Sequence, residues 1–196
     1  VLTLSERYPL AWRECDATRS LAAHVRNRTV HSFVLGLQAA MAWEEGKPAE
    51  AWELCCQSLD VARPLGANAI VLRTAAYAVL AAKHLGKPLP LDTLKAQAAV
   101  MDSSTSDFSV QSSVVVAALL HAGERALADR MLSLAKAQRG GRLCTLHERV
   151  ARTVHRALTG RLEAEDTGSD LVREARELGL HHLAAWAADP RSRCAW

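Results

Sequence analysis

The side chains most able to do chemistry in this chain are its histidines, cysteines and a run of arginines. Eight histidines and five cysteines are numerous enough for a metal site, but their spacing works against one. Cys55 and Cys56 are adjacent, and neighbours on a helix point about 100° apart, too far to hold one ion well. No Cys-x-x-Cys pair occurs. His181 and His182 are also neighbours, and His147 and His155 stand eight apart, on one helical face but more than two turns distant. Helical metal sites use pairs three or four apart, so neither metal nor cofactor is expected. The thiols read as reduced cysteines of a cytosolic protein.

Catalytic signatures are missing as well. There is no GxGxxG, P-loop, GxSxG or HExxH, since His147-Glu148 is followed by Arg149-Val150-Ala151. With no nucleophile–base pair in view, the expectation is a protein that is not an enzyme. The arginines form a stripe: Arg139, Arg142, Arg149, Arg152 and Arg156 face a single Glu148 over 139–156. Arg149, Arg152 and Arg156 share one helical face opposite Leu146, Val150, Val154 and Leu158. Such a row could meet phosphates, but no aromatic residue interleaves to stack on bases. It reads as the solvated face of an amphipathic helix, with no direct nucleic-acid partner.

The elements that must position these residues follow from composition and punctuation. The chain of 196 residues is 49% hydrophobic but only 5% aromatic, with a formal net charge of +3. That is enough for one domain with a core, and too mildly charged to imply nucleic acid or membrane. An Ala- and Leu-rich chain favours closely packed helices. No apolar stretch is long enough to span a membrane, and Glu6, Arg7, Arg13, Glu14 and Asp16 interrupt any signal peptide. The first residue is Val1 rather than Met, which leaves room for a longer gene product.

Glycines carry the strongest pattern. Gly46, Gly86, Gly123 and Gly160 recur at 40, 37 and 37 residues, and Ala62, Ala99, Ala135 and Ala175 at 37, 36 and 40. Lys47-Pro48 recurs as Lys87-Pro88, and Ala62-Arg63-Pro64-Leu65-Gly66 as Ala175-Arg176-Glu177-Leu178-Gly179. Two markers in phase predict a repeat array of helical hairpins. Helices are predicted from Pro9 to about Asn27, over 29–45, from Pro48 to Gly66, and from Asn68, acting as cap, to Leu85. A short one capped by Asp92 ends near Met101, and the polar loop Ser103–Asp107 precedes a sixth from Phe108. Further helices are expected at about 124–138, 143–158, 170–178 and 180–188, with 161–169 a loop. No strand is predicted; Val114-Val115-Val116 lies inside a helical run.

Leu35, Ala39, Ala42, the turn Glu44-Glu45-Gly46-Lys47-Pro48-Ala49-Glu50-Ala51, then Leu59 and Ala62 together resemble a tetratricopeptide (TPR) repeat. Later units depart from it: Ala51 is matched by Leu91 and then Ala128, and the fourth unit's second helix comes late. Repeats of 37–40 residues are similar to the longer TPR-like repeats in sensor regions of LuxR- and maltose-regulator-type bacterial transcription activators. The resemblance implies an all-α, right-handed superhelical array of antiparallel hairpins, a TPR-like α-solenoid. It would form a single domain over 1–196, with units at about 29–66, 68–101, 108–138 and 143–178 and a terminal helix at 180–188.

In that register the inner helices line a concave groove, and Phe33, Trp43, Arg73, Lys83, His84, His121 and His147 face it. Aromatic and basic groups together suit an acidic or aromatic protein, peptide or small-molecule effector. Trp43 also reads as packing between hairpins. A chaperone-type carboxylate clamp is not expected, because its positions hold Gly36 and Ala40. The resulting expectation is a cytoplasmic, non-catalytic sensor or interaction domain of a bacterial transcriptional regulator. The alternative is a free-standing adaptor that homodimerises through the Ala-rich terminus around Trp186 and Trp196.

Overall fold

A computed structural model describes residues 8–102, 112–137, 141–161, 168–178 and 180–189. The loop Ser103–Asp107, the helix start at Phe108, Arg139, most of 161–169 and Trp196 lie outside the described residues. All regular structure among the described residues is helical: α1 (Tyr8–His24), α2 (Arg28–Glu44), α3 (Pro48–Ala62), α4 (Asn68–His84), α5 (Leu91–Val100), α6 (Ser112–His121), α7 (Arg125–Ala137), α8 (Arg142–Leu158), α9 (Ser169–Glu177) and α10 (His181–Ala188). The chain packs as two compact units, Val1–Gln97 and Ala98–Trp196, divided within α5.

The marker glycines end helices, as their spacing predicted. Gly46, Gly86, Gly123 and Gly160 all have φ between 63° and 78°, a left-handed conformation that side chains disfavour. Around Gly46 the amide of Lys47 reaches back to the Ala42 carbonyl at 2.9 Å, and around Gly86 Lys87 reaches Ala82 at 2.8 Å. This backbone pairing satisfies carbonyls that the helix end would leave open. The α1–α2 turn closes in the same way, with Asn27 bonded to Ala22 at 2.8 Å, but its left-handed residue is Arg26 at φ 54°.

Two of the expected caps need correction. α4 begins at Asn68 itself; Ala67 occupies the cap position without a side-chain bond. α5 begins at Leu91, which puts Asp92 inside its first turn, where its charge suits the helix dipole. The chain enters the helix one residue early at α4 and two residues early at α5. Asn27 does act as a side-chain N-cap, its Oδ1 accepting the Val30 amide at 3.1 Å. α3 opens with Pro48 in its first turn and ends at Ala62, after which Arg63–Leu65 tighten into a 3₁₀ turn before left-handed Gly66.

In the first unit α2 packs against α1, α3 and α4, and α3 against α4. α4 is the central helix, with every residue from Val71 to Ala82 buried. Its alanines 75, 76, 78, 81 and 82 are at most 1% exposed, so neighbouring backbones approach closely. In the second unit α6 packs against α7 and α8, α7 against α8, and α10 against α9 and α8. Val114, Val115 and Val116 lie buried in α6; tertiary burial outweighs their mild preference for strands. Arg130 of α7 donates to the carbonyls of Ala98, Ala99 and Met101 at 2.7, 2.9 and 2.6 Å, closing the end of α5 with a cation where the dipole favours one.

Candidate functional site

In the first unit α2 and α4 lie side by side because Gly36 lets them. A Cβ at Gly36 would stand 2.9 Å from Thr74 Oγ1, 3.1 Å from an Arg73 guanidinium nitrogen and 3.4 Å from Ser58 Oγ. The missing side chain makes room for a buried polar seam. Ser58 Oγ donates to the Ser32 carbonyl at 2.8 Å and lies 3.3 Å from Thr74 Oγ1. Arg73, 8% exposed, donates to the Phe33 carbonyl at 3.2 Å. The same guanidinium sits 4.7 Å over the Phe33 ring, a cation–π arrangement. Phe33 itself is 41% exposed. A buried cation thus braces an aromatic ring that looks outward.

The other residues from the groove register are placed as follows. Trp43 is buried and meets the exposed His84 ring edge-on, with centroids 6.5 Å apart. Lys83 is half-buried. These five share the first unit; His121 and His147 belong to the second. His121 is half-buried at the end of α6, and His147 is buried in α8 at 2% exposure. Tyr77 of α4 is buried, and burial pushes its hydroxyl well above the ordinary range. Burial likewise raises the thiols of Cys15, Cys55 and Cys56, which keeps them protonated and poor nucleophiles.

Three arginines of the stripe, Arg142, Arg149 and Arg152, are held in ion pairs. Arg149 meets Glu174 of α9 at 2.6 Å, Arg142 meets the same carboxylate at 3.0 Å, and Arg152 pairs with Glu148 on its own helix. The bonds from Arg142 above all, with those from Arg149, hold the Glu174 carboxyl below its ordinary range. His155, nearly buried, lies 2.6 Å from Asp129 of α7. These pairs join α8 to α9 and to α7 and occupy charges that phosphates would need.

Composition alone left one stretch of the surface unremarked. From Ala17 to Trp43 the chain contains no Asp or Glu, yet carries Arg19, His24, Arg26, Arg28 and His31. From Ala67 to Leu91 it again has none, with Arg73, Lys83, His84 and Lys87. α4 is therefore free of carboxylates along its whole length and α2 as far as Glu44. A count of acids along the chain would have drawn attention to Leu21, Val25 and Val30, which are exposed beside these bases.

The chain matches no protein-family model, no curated protein and no solved structure. Among the described residues no three His, Cys, Asp or Glu side chains gather as metal ligands would, and no helix is long and apolar enough to cross a membrane.

Proposed function

We propose that this chain is a non-catalytic binding and regulatory module, a TPR-like array of helical hairpins in which α2, backed by buried α4 and flanked by its C-terminal Lys83 and His84, presents the partner-binding face. The observation that carries the reading is the braced ring: Arg73 holds Phe33 outward at 4.7 Å on two helices that lack carboxylates up to Glu44. An ordered aromatic costs little entropy to dock against, and the basic surroundings favour a carboxylate- or phosphate-bearing partner. The in-phase glycine turns and the packing of α2 on α3 and α4, and of α6 on α7 and α8, support the repeat architecture. The same resemblance suggests the sensor or interaction part of a bacterial transcriptional regulator acting in the cytoplasm.

The test is a thermal-shift screen of dicarboxylates, nucleotides and acidic peptides, followed by calorimetry on each compound that raises Tm. The module reading expects at least one such ligand, bound about fivefold or more weakly by Phe33→Ala. Phe33 is the variant of choice because its ring is part-exposed and its loss spares the core. Turnover of any of these compounds would contradict the non-catalytic reading, and affinity unchanged in Phe33→Ala would move the site elsewhere.

A further inference from the structure

The open side of the first unit continues past Phe33 to the end of the α1–α2 hairpin, and apolar side chains collect there. Leu21, on α1, and Val25, four residues on in the turn that follows it, are 60% and 59% exposed; Val30 and Phe33 stand three apart on α2 and are 36% and 41% exposed. Elsewhere in the described first unit and α5, the exposed large apolar side chains are Leu65 and Val100, each isolated in the sequence. α1 buries Ala11 and Cys15 against Val34 and Met41, with Leu37 packed beside them. α1 and α2 run antiparallel through the tight turn at Arg26. Helical spacing, which the Val25 amide continues by bonding to the Leu21 carbonyl at 2.9 Å, therefore puts Leu21, and Val25 just past the helix end, on the flank that borders the Val30–Phe33 side of α2.

The rim of this patch is cationic. His24, Arg26 and Arg28 are exposed, and the stretch Ala17–Trp43 holds no carboxylate to neutralise them. Arg19 differs, because Asp16 and Gln38 both engage it at 3.2 Å. A second copy of the chain docking through this face would bring like charges together, which opposes association. A partner with carboxylates around an apolar stripe would meet both features of the surface.

We infer that the α1–α2 end of the first unit docks an acidic amphipathic helix of another protein. Its apolar side chains seat on Leu21, Val25, Val30 and Phe33, and its flanking carboxylates pair with Arg26 and Arg28. This rests on the binding-module reading above and adds a location and a partner class to it.

Fluorescence anisotropy with the full chain tests it. The probe is a labelled peptide carrying Leu at positions i, i+3, i+4 and i+7 and Glu between them. Two companions replace Glu by Lys, or Leu by Gln. Saturable binding of the Glu–Leu peptide is expected, with both companions about tenfold weaker or worse. Val25→Glu and Arg28→Glu, checked for fold by circular dichroism, should each weaken it about tenfold, the scale of a central anchor. No saturable binding, equal binding of the Lys peptide, or unchanged affinity in both variants would overturn the inference. So would a concentration-dependent dimer abolished by Val25→Glu, which assigns the face to a second copy, or preferential binding to phosphatidylserine vesicles, which assigns it to lipid. Lys83→Ala separates the two readings. Binding lost in Val25→Glu and Arg28→Glu but intact in Lys83→Ala supports this docking end and contradicts the α2–α4 face. The reverse pattern supports that face and overturns the docking end.

Discussion

The guanidinium of Arg73 lies 4.7 Å over the ring of Phe33 and donates to the carbonyl of that same residue at 3.2 Å. One side chain of α4 thus grips both the backbone and the ring of a residue forty positions earlier. The contact is possible because Gly36 leaves the helices room, and it fixes both the spacing of α2 from α4 and the direction in which Phe33 points.

Enlarging Gly36 should therefore separate the helices. Gly36→Leu is expected to destabilise by about 1–3 kcal/mol through overpacking against Thr74 and Ser58. Gly36→Ala should cost less, because alanine's better helix propensity, about 1 kcal/mol over glycine, offsets part of the crowding. Urea unfolding of the three proteins checks the order.

Arg26 occupies a left-handed position that glycine holds at five other helix ends among the described residues. Arg26→Gly should stabilise the chain by about 0.5–1 kcal/mol. Gly86→Val should destabilise by about 1 kcal/mol or more. Thermal melts of the two variants should move in opposite directions.

Those turns show what the sequence makes legible. Helix existence and the end of each hairpin helix follow from a local rule, since a left-handed residue after the last turn favours glycine whatever packs around it. Register alone puts Arg73 and Phe33 on the groove side, but their contact is not readable from sequence, because it depends on Gly36 and on residues forty apart. In sequence, Gly36 stands out only as the wrong residue for a carboxylate clamp. The buried seam of Ser32, Ser58 and Thr74 was equally hidden, since polar residues at such positions look like a solvated face. The pairing of Arg149 with Glu174, 25 residues away in sequence, depends on how α9 folds back against α8. Asn68 and Asp92 misled because a good capping residue does not oblige the helix to begin after it.

Acid should loosen the second unit. Glu174 has its pKa lowered in the folded state, mainly by the bonds from Arg142. Its contribution is therefore present above the ordinary glutamate range and is lost as pH falls through the lowered value. The pairs are surface ones, worth about 0–1 kcal/mol. Glu174→Gln should lower Tm slightly at neutral pH and flatten the acid limb of a Tm-against-pH curve; an unchanged limb would contradict the assignment.

The arginine stripe should not make this chain a DNA-binding protein. Electrophoretic mobility shifts with duplex DNA are expected to be weak and independent of sequence. A tight, salt-sensitive complex abolished by Arg149→Ala with Arg152→Ala would show that the ion pairs to Glu174 and Glu148 yield to phosphate.

The most direct test of the central claim is a map of where an acidic ligand touches the chain. Amide NMR of the isotope-labelled protein, titrated with an acidic ligand found in the thermal-shift screen, reports each backbone position. The binding-face account predicts that the largest shifts cluster on α2 and α4, around Val30, Phe33, Arg73 and Lys83, and fade in Phe33→Ala. Shifts confined to α3 around Trp52 and Gln57, or spread evenly over both units, would contradict it.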